Sequence, residues 1–490
     1  VIDLHLPWLE LAIVLPLIGA FCVWRLRDVE KARKWCLFFT CAAFATCLGA
    51  WQDFILVHAS VAGDPWSLSS AMLGWDFFII DELNAPLLPL ASLLYLLTVL
   101  ATLRTKMRRF SFTWMLITEA IVLATLSCKQ PWGVIALLAL GAIPPYFELL
   151  ARKKPTRVYV LHMVLFVALM VLGWSLVQWQ ASQPEHSPWI FAPLVVAILI
   201  RSGIAPLHCW MTDLFEHASF GTALLFTTPM LGAYAAVRLL LPIAPDSVMR
   251  IIGMMALFTA LYAAGMALVQ REARRFFCYV LLSHSALVLV GLDTVRPIGL
   301  TGALCVWLSV GLSLAGFGLT LRLLEARHGR LSLTGYHGLY EHTPLLAICF
   351  FLTGMASVGF PGTLGFLGTE LLVEGAVASY PIVGVAVVLS AALNGIALVK
   401  AYFLLFTGTR HVSSVPLEVS WREKVAVLTL AALILGGGLY PQPGVASRHH
   451  AAIELLEERG VVFPDDPIHA TAERQGDIHD AAAQKEWFME

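Results

Sequence analysis

The residues of this sequence that could do chemistry are the ionisable ones set inside long apolar runs. Arg201 sits in an apolar run that begins at Trp189. Gly203 and Pro206 follow at once, and behind them come His208, Asp213, Glu216 and His217. Glu119, His284 and Lys400 stand in other apolar runs, and Glu370 follows Gly359, Pro361 and Gly362 in one more. A charge in a membrane span costs roughly 2.5–3.5 kcal/mol on insertion scales, so it needs a partner, water or a function. The chemistry open to such a set is movement of protons or cations. Imidazoles titrate near neutrality. A buried Lys can lose its proton, whereas Arg stays charged and serves as a fixed positive charge or an anion partner. Gly and Pro break helices, and a broken helix at membrane depth survives only where protein or a hydrated cavity surrounds it. The candidate ion-translocation residues read from the two interrupted runs are therefore Arg201, Glu370, His208 and His217. The expected helix breaks are Gly203, Pro206, Gly359, Pro361 and Gly362.

Each residue also has a plainer reading. Arg201 could be a structural ion pair with Glu119 or Glu370, and Glu119 a buried hydrogen-bonded acid. Glu370 could lie near the membrane surface, Lys400 could snorkel to it, and the histidines could be hydrogen-bonded at helix ends. The nine cysteines fall mostly in apolar spans and show neither metal-ligand spacing nor a disulfide framework. The pair His449–His450 lies on a polar tail and makes a poor metal site. No G-x-x-x-x-G-K-[ST] occurs. No catalytic group, metal or cofactor is expected. The net charge of −1 gives no general reason to bind nucleic acid.

The elements that must position these residues are membrane helices. Only 13% of residues are charged and 59% are hydrophobic, with a mean hydropathy of +0.78; soluble domains carry about 25% charged residues. The apolar runs predict an all-α polytopic membrane protein with about 14 spans. They lie near 8–25, 35–57, 82–103, 111–128, 132–151, 158–179, 190–207, 219–241, 249–270, 274–293, 299–323, 344–373, 379–407 and 424–441. The seventh and twelfth are broken, as expected of inverted repeats. The first span lacks a basic leader and an A-x-A site, and reads as a retained helix. Lys and Arg concentrate in alternate loops: Arg25, Arg27, Lys31, Arg33, Lys34; Arg104, Lys106, Arg108, Arg109; Arg152, Lys153, Lys154, Arg157; Arg271, Arg274, Arg275; Arg322, Arg327, Arg330; Arg410, Arg422, Lys424. The other loops hold only Lys129, Arg250 and Arg296. The positive-inside rule puts the first set in the cytoplasm and both termini outside it. Loop 7–8 is the one inside loop without Lys or Arg. Segment 58–80, with Trp66 and Trp75, reads as an interfacial loop. Residues 446–490 read as a polar tail, mobile apart from one short helix over 451–459.

Three runs carry a family resemblance: RSGIAPLHCWMTDLFEHA from Arg201, REARRFFCYVLLSHSALVLVG from Arg271 and GFPGTLGFLGTELLV from Gly359. They resemble, in order, the broken seventh helix, the tenth helix and the broken twelfth helix of the antiporter-like subunits of respiratory complex I. KAYFLLF and GLYPQPG are similar to late stretches of the M-type subunit. The superfamily also includes Mrp Na⁺/H⁺ antiporter subunits, membrane hydrogenase subunits and the membrane half of the Dab inorganic-carbon uptake system. The likeness covers about residues 80–445.

The resemblance implies helices 1–3 over 1–110, a repeat of helices 4–8 over 111–241, and an inverted repeat of helices 9–13 over 249–407. A last helix over 424–441 and the tail complete the chain. It also implies a central row of buried ionisable groups that conducts protons. Onto that row fall Arg201 (where the family has Lys), Glu119, Glu370, Lys400 and His284, so the resemblance adds Glu119, Lys400 and His284 to the candidate ion-translocation residues. The family's charges in helices 5, 8 and 11 fall near Ala139, Met230 and Val310 and are missing; Glu148 lies too far on to replace the first.

The leading expectation is a proton- or cation-translocating subunit of a larger inner-membrane complex, with other membrane subunits as partners and a redox module or sister antiporter as energy source. It could thus be part of an NADH-quinone oxidoreductase-like translocase. One alternative is a Dab-type subunit, beside a soluble zinc carbonic-anhydrase-like partner, that couples the proton gradient to CO2 or bicarbonate uptake. The other is a non-conducting structural paralogue.

Overall fold

A computed structural model describes residues 2–66, 77–103, 107, 110–180, 187–408 and 418–461. Helices dominate because the chain is apolar for stretch after stretch, and only a backbone that satisfies its own hydrogen bonds can lie in lipid. In chain order they are α1 (Trp8–Trp24), α2 (Val29–Val57), α3 (Leu87–Leu100), α4 (Phe112–Ser127), α5 (Pro131–Ala151) and α6 (Arg157–Gln180). Then come α7a (Ala192–Ser202), α7b (Cys209–His217), α8 (Phe220–Leu240), α9 (Asp246–Val269), α10 (Ala273–Asp293) and α11 (Pro297–His328). The last are α12a (Pro344–Ser357), α12b (Leu364–Ser379), α13 (Pro381–Phe406), α14 (Trp421–Leu439) and α15 (Gln442–Glu458). Eight of these are long and apolar enough to cross a bilayer unaided; α1, α3, α4, the α7a segment and α12a are shorter apolar helices. The chain is an integral multi-pass membrane protein.

The interior is built around α8, α10 and α11, which are buried on nearly every side. α9 packs along α10, α11 along α12b, α1 along α2 and α4, and α6 along α7a. α6, α9 and α13 turn rows of Leu, Val, Ile and Phe outward, as lipid-facing rods do.

Two parts of the chain differ from their sequence reading. Segment 58–80 was expected as loop, yet a small sheet forms: Ile2–Asp3 pairs parallel with Val61–Gly63, which pairs antiparallel with Ile79–Asp81. Next to it, Asp64 accepts the α1 amides of Leu9 (3.2 Å) and Glu10 (2.8 Å), a cap supplied from 54 residues further along the chain. The tail also departs from expectation. α15 starts at Gln442 and turns 80° from α14. It lies on α11 and on the α3 entrance, where Arg448 donates to the carbonyls of Leu83 (3.0 Å) and Glu82. Helix signals there were weak because α15 is held by tertiary contacts. Trp75, Arg104, Lys106, Arg108, Arg109, Arg410 and residues 462–490 lie outside the described residues.

The loops sort into two ends. At one end Arg33 donates to Leu100 O, Arg322 to Thr98 O, Arg274 to Glu325, Arg275 to Glu216, Arg327 to Glu423 and Lys400 to Leu268 O. All of these join loops of the Lys- and Arg-rich set. At the other end Asn84 and Tyr234 donate to Leu126 O, Arg238 pairs with Asp81, Lys129 with Glu458 and Arg459 with Asp246. The strand Ile2–Asp3 and α15 are both at this second end.

Candidate ion-translocation site

Both expected interruptions are present. The first separates α7a from α7b. Gly203 takes φ +71° and closes α7a, with the amide of Ile204 bonded back to Leu199 O at 2.9 Å. A side chain here would meet Met211 Cε and Leu282 Cδ2 at 2.7 and 2.8 Å. The freed groups find partners: Trp210 Nε1 donates to Ile200 O (2.7 Å) and the Ala205 amide donates to Thr259 Oγ1 (3.0 Å) on α9. The second break separates α12a from α12b, with Gly359 and Gly362 at φ +87° and +83°. Pro361 and Gly362 are exposed on the flank of the chain, so this break does not line the buried interior as the first does.

A third irregularity interrupts α8. Its first turns end at Thr227, Met230 takes φ +50°, and the helix resumes at Leu231 and closes with a π turn over Ala236–Leu240. Pro229 was the signal for it. Gly232 then lets α8 approach the first break: a Cβ there would meet the Ser202 amide nitrogen at 2.8 Å.

Arg201 stands in the last turn of α7a, 4% exposed. Its Nη2 donates to Phe226 O at 3.3 Å. The guanidinium lies 4.2 Å from the Phe226 ring centroid and 5.9 Å from that of Trp210. Among the described residues no carboxylate pairs with it. The expected ion pair with Glu119 or Glu370 is therefore absent. The reason is placement: the neighbours of Arg201 are α8, α7b and the phenols of Tyr159 and Tyr95. A cavity of about 20 Å³, water-sized, adjoins it between α7a, α8 and α10, lined by Ser202, Thr227, Ser285 and Met230 among others.

Glu119 is fully buried in α4. Ser92 Oγ of α3 donates to its Oε1 at 3.0 Å, while Oε2 has no protein partner. Tyr95, one turn along α3 from Ser92, is within electrostatic range of both Glu119 and Arg201, and its buried hydroxyl is also unbonded to protein. These residues form one polar seam through α3, α4, α7a and α8.

His208 begins α7b, 8% exposed, with its ring edge-on to Tyr262 (5.5 Å) and Nδ1 without a protein partner. His217 lies at the other end of α7b, bonded to Asp213 through both its carboxylate (3.0 Å) and its carbonyl (3.1 Å). His284 is buried in α10; Nδ1 meets Val280 O at 2.8 Å, and the ring also reaches the Ser357 backbone at the end of α12a. It thus touches the second break.

Around His284 the chain holds a polar cluster that sequence reasoning missed. Ser283 Oγ donates to Ala260 O (2.8 Å) and accepts from Asn394 Nδ2 (2.7 Å), and Ser390 Oγ is 3.1 Å from it. Asn394 Oδ1 is buried without a protein partner. Ser390 and Asn394 stand at i, i+4 in α13, a spacing that could have flagged them; they carry no charge and drew no notice. A buried pair was also missed. Arg238, in the π turn of α8, bonds Asp81 at 2.6 Å and the Tyr234 hydroxyl at 3.1 Å.

This arrangement of interrupted helices and buried ionisable groups has known counterparts. A family model described as "NADH:quinone oxidoreductase/Mrp antiporter, TM" matches residues 169–394. NAD(P)H-quinone oxidoreductase chain 4 1 of Synechococcus elongatus is 26% identical, covering 89% of either chain. NADH-quinone oxidoreductase subunit M of Mycobacterium tuberculosis is 27% identical over 52% of this chain and 47% of its own. Over most of its length the chain is similar to complex I subunits of the M/chain 4 type. The fold agrees. A chain of respiratory complex I from Thermus thermophilus superposes with TM-score 0.80 at 21% identity, covering 92% of this chain and all of that one. A chain of the Mrp complex from Dietzia gives 0.75 at 18% identity, over 91% and 97%.

Two expected site residues of this antiporter-like chain stand elsewhere. Glu370 is exposed on the outer flank of α12b, with Glu374 exposed one turn on. Lys400 is exposed on α13 and donates to Leu268 O (2.9 Å) at the end of α9. Neither faces the buried interior. Packing against α11 turns the Gly302- and Val306-facing side of α12b inward and Glu370 outward. His/Cys/Asp/Glu groups that could hold a metal are absent among the described residues.

Proposed function

We propose that this chain is a proton-translocating membrane subunit of a larger energy-coupled complex of the complex I/Mrp type, in a cell inner membrane, with the Lys- and Arg-rich end in the cytoplasm. The observation that carries this is the seam of Glu119, Tyr95 and Arg201. A carboxyl oxygen, a phenol and a guanidinium with no carboxylate partner among the described residues are all buried, and a water-sized cavity adjoins Arg201 at the first helix break. Unpaired buried polar groups are expensive, and a hydrated path is what makes them tenable. Glu119 is the proton carrier of this seam, because a carboxylate can bind and release a proton and Arg cannot. Arg201 is the fixed charge that sets when Glu119 does so. His208 offers access at α7b, and His284 continues the path at the second break. Partners are other membrane subunits. The outward Glu370, Glu374 and Lys400 support this, since lipid would leave such groups unsatisfied.

The charges missing near Ala139, Met230 and Val310, together with the neutral Ser283–Ser390–Asn394 cluster, favour a second reading. In it the subunit couples a proton gradient to another task, with Dab-type inorganic-carbon uptake as the concrete form. Co-purification with a carbonic-anhydrase-like zinc protein in place of quinone-reductase subunits would decide for it.

The test of the main reading uses the intact complex in sealed vesicles with a pH-sensitive dye. Glu119→Gln keeps the hydrogen bond from Ser92 and removes the titratable proton. It should lower proton transport at least about tenfold, the scale of removing a positioned proton carrier, while assembly is retained. Wild-type transport in Glu119→Gln would reject the seam as the path.

A further inference from the structure

The Lys- and Arg-rich end of the bundle holds a cavity of about 260 Å³ that is separate from the seam. Four guanidinium groups line it, each from a different stretch: Arg152 from the end of α5, Arg274 from the start of α10, Arg322 from the last turns of α11, and Arg330 just beyond them. Phe110 and Ser219 share the wall, and among the described residues Glu325 is its one acid.

The arginines are unequal. Arg152 pairs with Glu148 (3.1 Å), Arg274 with Glu325 (2.7 Å) and Arg330 with Glu272 at the rim (3.8 Å). Arg274 also donates to the carbonyls of Phe215 and Ala218, and Arg330 to that of Glu216, so both hold the C-terminal end of α7b. Arg322 makes no ion pair of its own, although the Glu148 and Glu325 carboxylates, each paired to another arginine, lie within electrostatic range of it. It donates to Thr98 O and Thr102 Oγ1, both at 3.0 Å, and stacks on Phe110 at 5.1 Å. Among the described residues no carboxylate pairs with it, although a guanidinium has five N–H groups to place. The wall therefore carries an excess of positive charge, and α8, capped by Ser219, points its N-terminus into the same place. Structural stapling explains three of the arginines but leaves the fourth charge facing a space large enough for a small anion.

The depth of the cavity narrows the ligand. It lies where α3, α5 and α11 end and α8 and α10 begin, at the end of the bundle where the apolar spans give way to charged loops. Guanidinium forks match the oxygens of a phosphate group, and basic pockets between membrane helices are suited to phosphorylated headgroups. We propose that this cavity binds a phosphate group, carried by an anionic phospholipid or by a free phosphate-bearing anion, with Arg322 as its principal ligand. The site also accounts for the missing basic residues of loop 7–8: the arginines of three other loops converge on that loop.

The experiment uses the membrane-extracted protein with its accompanying subunits and does not read proton transport. Thermal unfolding is followed during titration with inorganic phosphate at constant ionic strength set by chloride. Native mass spectrometry follows exposure to vesicles of phosphatidylglycerol or of phosphatidylcholine. Saturable stabilisation by phosphate without retained phosphatidylglycerol identifies a free anion. Preferential retention of phosphatidylglycerol identifies a headgroup. In either case Arg322→Gln should weaken binding at least about tenfold, the loss of one charge-assisted contact, and Arg322→Lys should recover part of it. If Arg322→Gln does not assemble, Arg330→Gln at the exposed rim should weaken the same binding severalfold. No binding of either probe, or binding unchanged in the variants, overturns the proposal.

Discussion

Arg201 and Arg238 show how two buried arginines in one chain can have opposite energetics. Arg238 lies against Asp81 at 2.6 Å, and Asp81 in turn exchanges hydrogen bonds with Asn84. Arg238→Ala strands that carboxylate, which typically costs about 3–5 kcal/mol. Arg201 has a carbonyl and two aromatic faces instead. Arg201→Ala leaves no charge stranded and should change stability by less than about 2 kcal/mol, while abolishing coupled transport. Arg201→Lys should keep part of the transport. Thermal unfolding of the purified complex, set beside vesicle transport, checks both: a larger stability loss at Arg201 than at Arg238 would show that Arg201 is the structural residue. The spacing of Arg201, Gly203 and Pro206 was legible from the residues alone. Arg238 was not, because a basic residue late in a span reads as a helix end until its partner is known.

The interrupted helices differ in what surrounds them. The break in α7 is buried from Gly203 to Ala205 and answered by Trp210 and Thr259, while that in α12 opens on the chain's flank. α15 adds an element whose docking responds to pH. Glu454 on its inner side is pushed up to about 8, chiefly by burial and then by Asp81. A carboxyl whose folded pKa is raised contributes most to the folded arrangement while protonated. That contribution is present below the ordinary carboxyl range and is lost as pH rises through about 8. Hydrogen-exchange protection of Ala451–Leu456, corrected for intrinsic rates, should therefore fall between pH 6 and pH 9 and stay flat in Glu454→Gln. A rise with pH, or the same fall in Glu454→Gln, would remove Glu454 as the cause. The sequence reading placed a short helix at 451–459 but not its start at Gln442 or its seat on α11, both of which depend on Arg448 reaching the Glu82 and Leu83 carbonyls.

Across the molecule, contacts between loops stay within one of two sets, and those sets match the alternation of Lys and Arg. The topology proposed above puts Lys153 and Glu458 on opposite sides of the membrane, with Lys153 in the cytoplasm. Lys153→Cys and Glu458→Cys, each made after replacing the exposed Cys41 and Cys209 by Ser, should label from opposite faces with an impermeant maleimide. Labelling of both from one face would reject the arrangement. The outward charges on α12b and α13 belong to the same description, since they make one flank of the chain unsuited to lipid alone.

Helices, loops and breaks were readable from the residues because the bilayer imposes them locally. A run of about 20 apolar residues, a Pro after a Gly, or an arginine cluster in a loop acts through its own stretch of chain. Arg201 was found in the same way, as a charge where none is affordable, and Glu119 through the family resemblance. What could not be read was which side each helix turns inward. Glu370 and Lys400 turn outward and are exposed, and Ser283, Ser390 and Asn394 meet although they come from distant helices. Facing is set by ridge-and-groove packing between helices. Lateral contacts of that kind, and the pairing of Arg238 with Asp81, arise from the whole set of neighbours at once and leave no periodic trace in any one span.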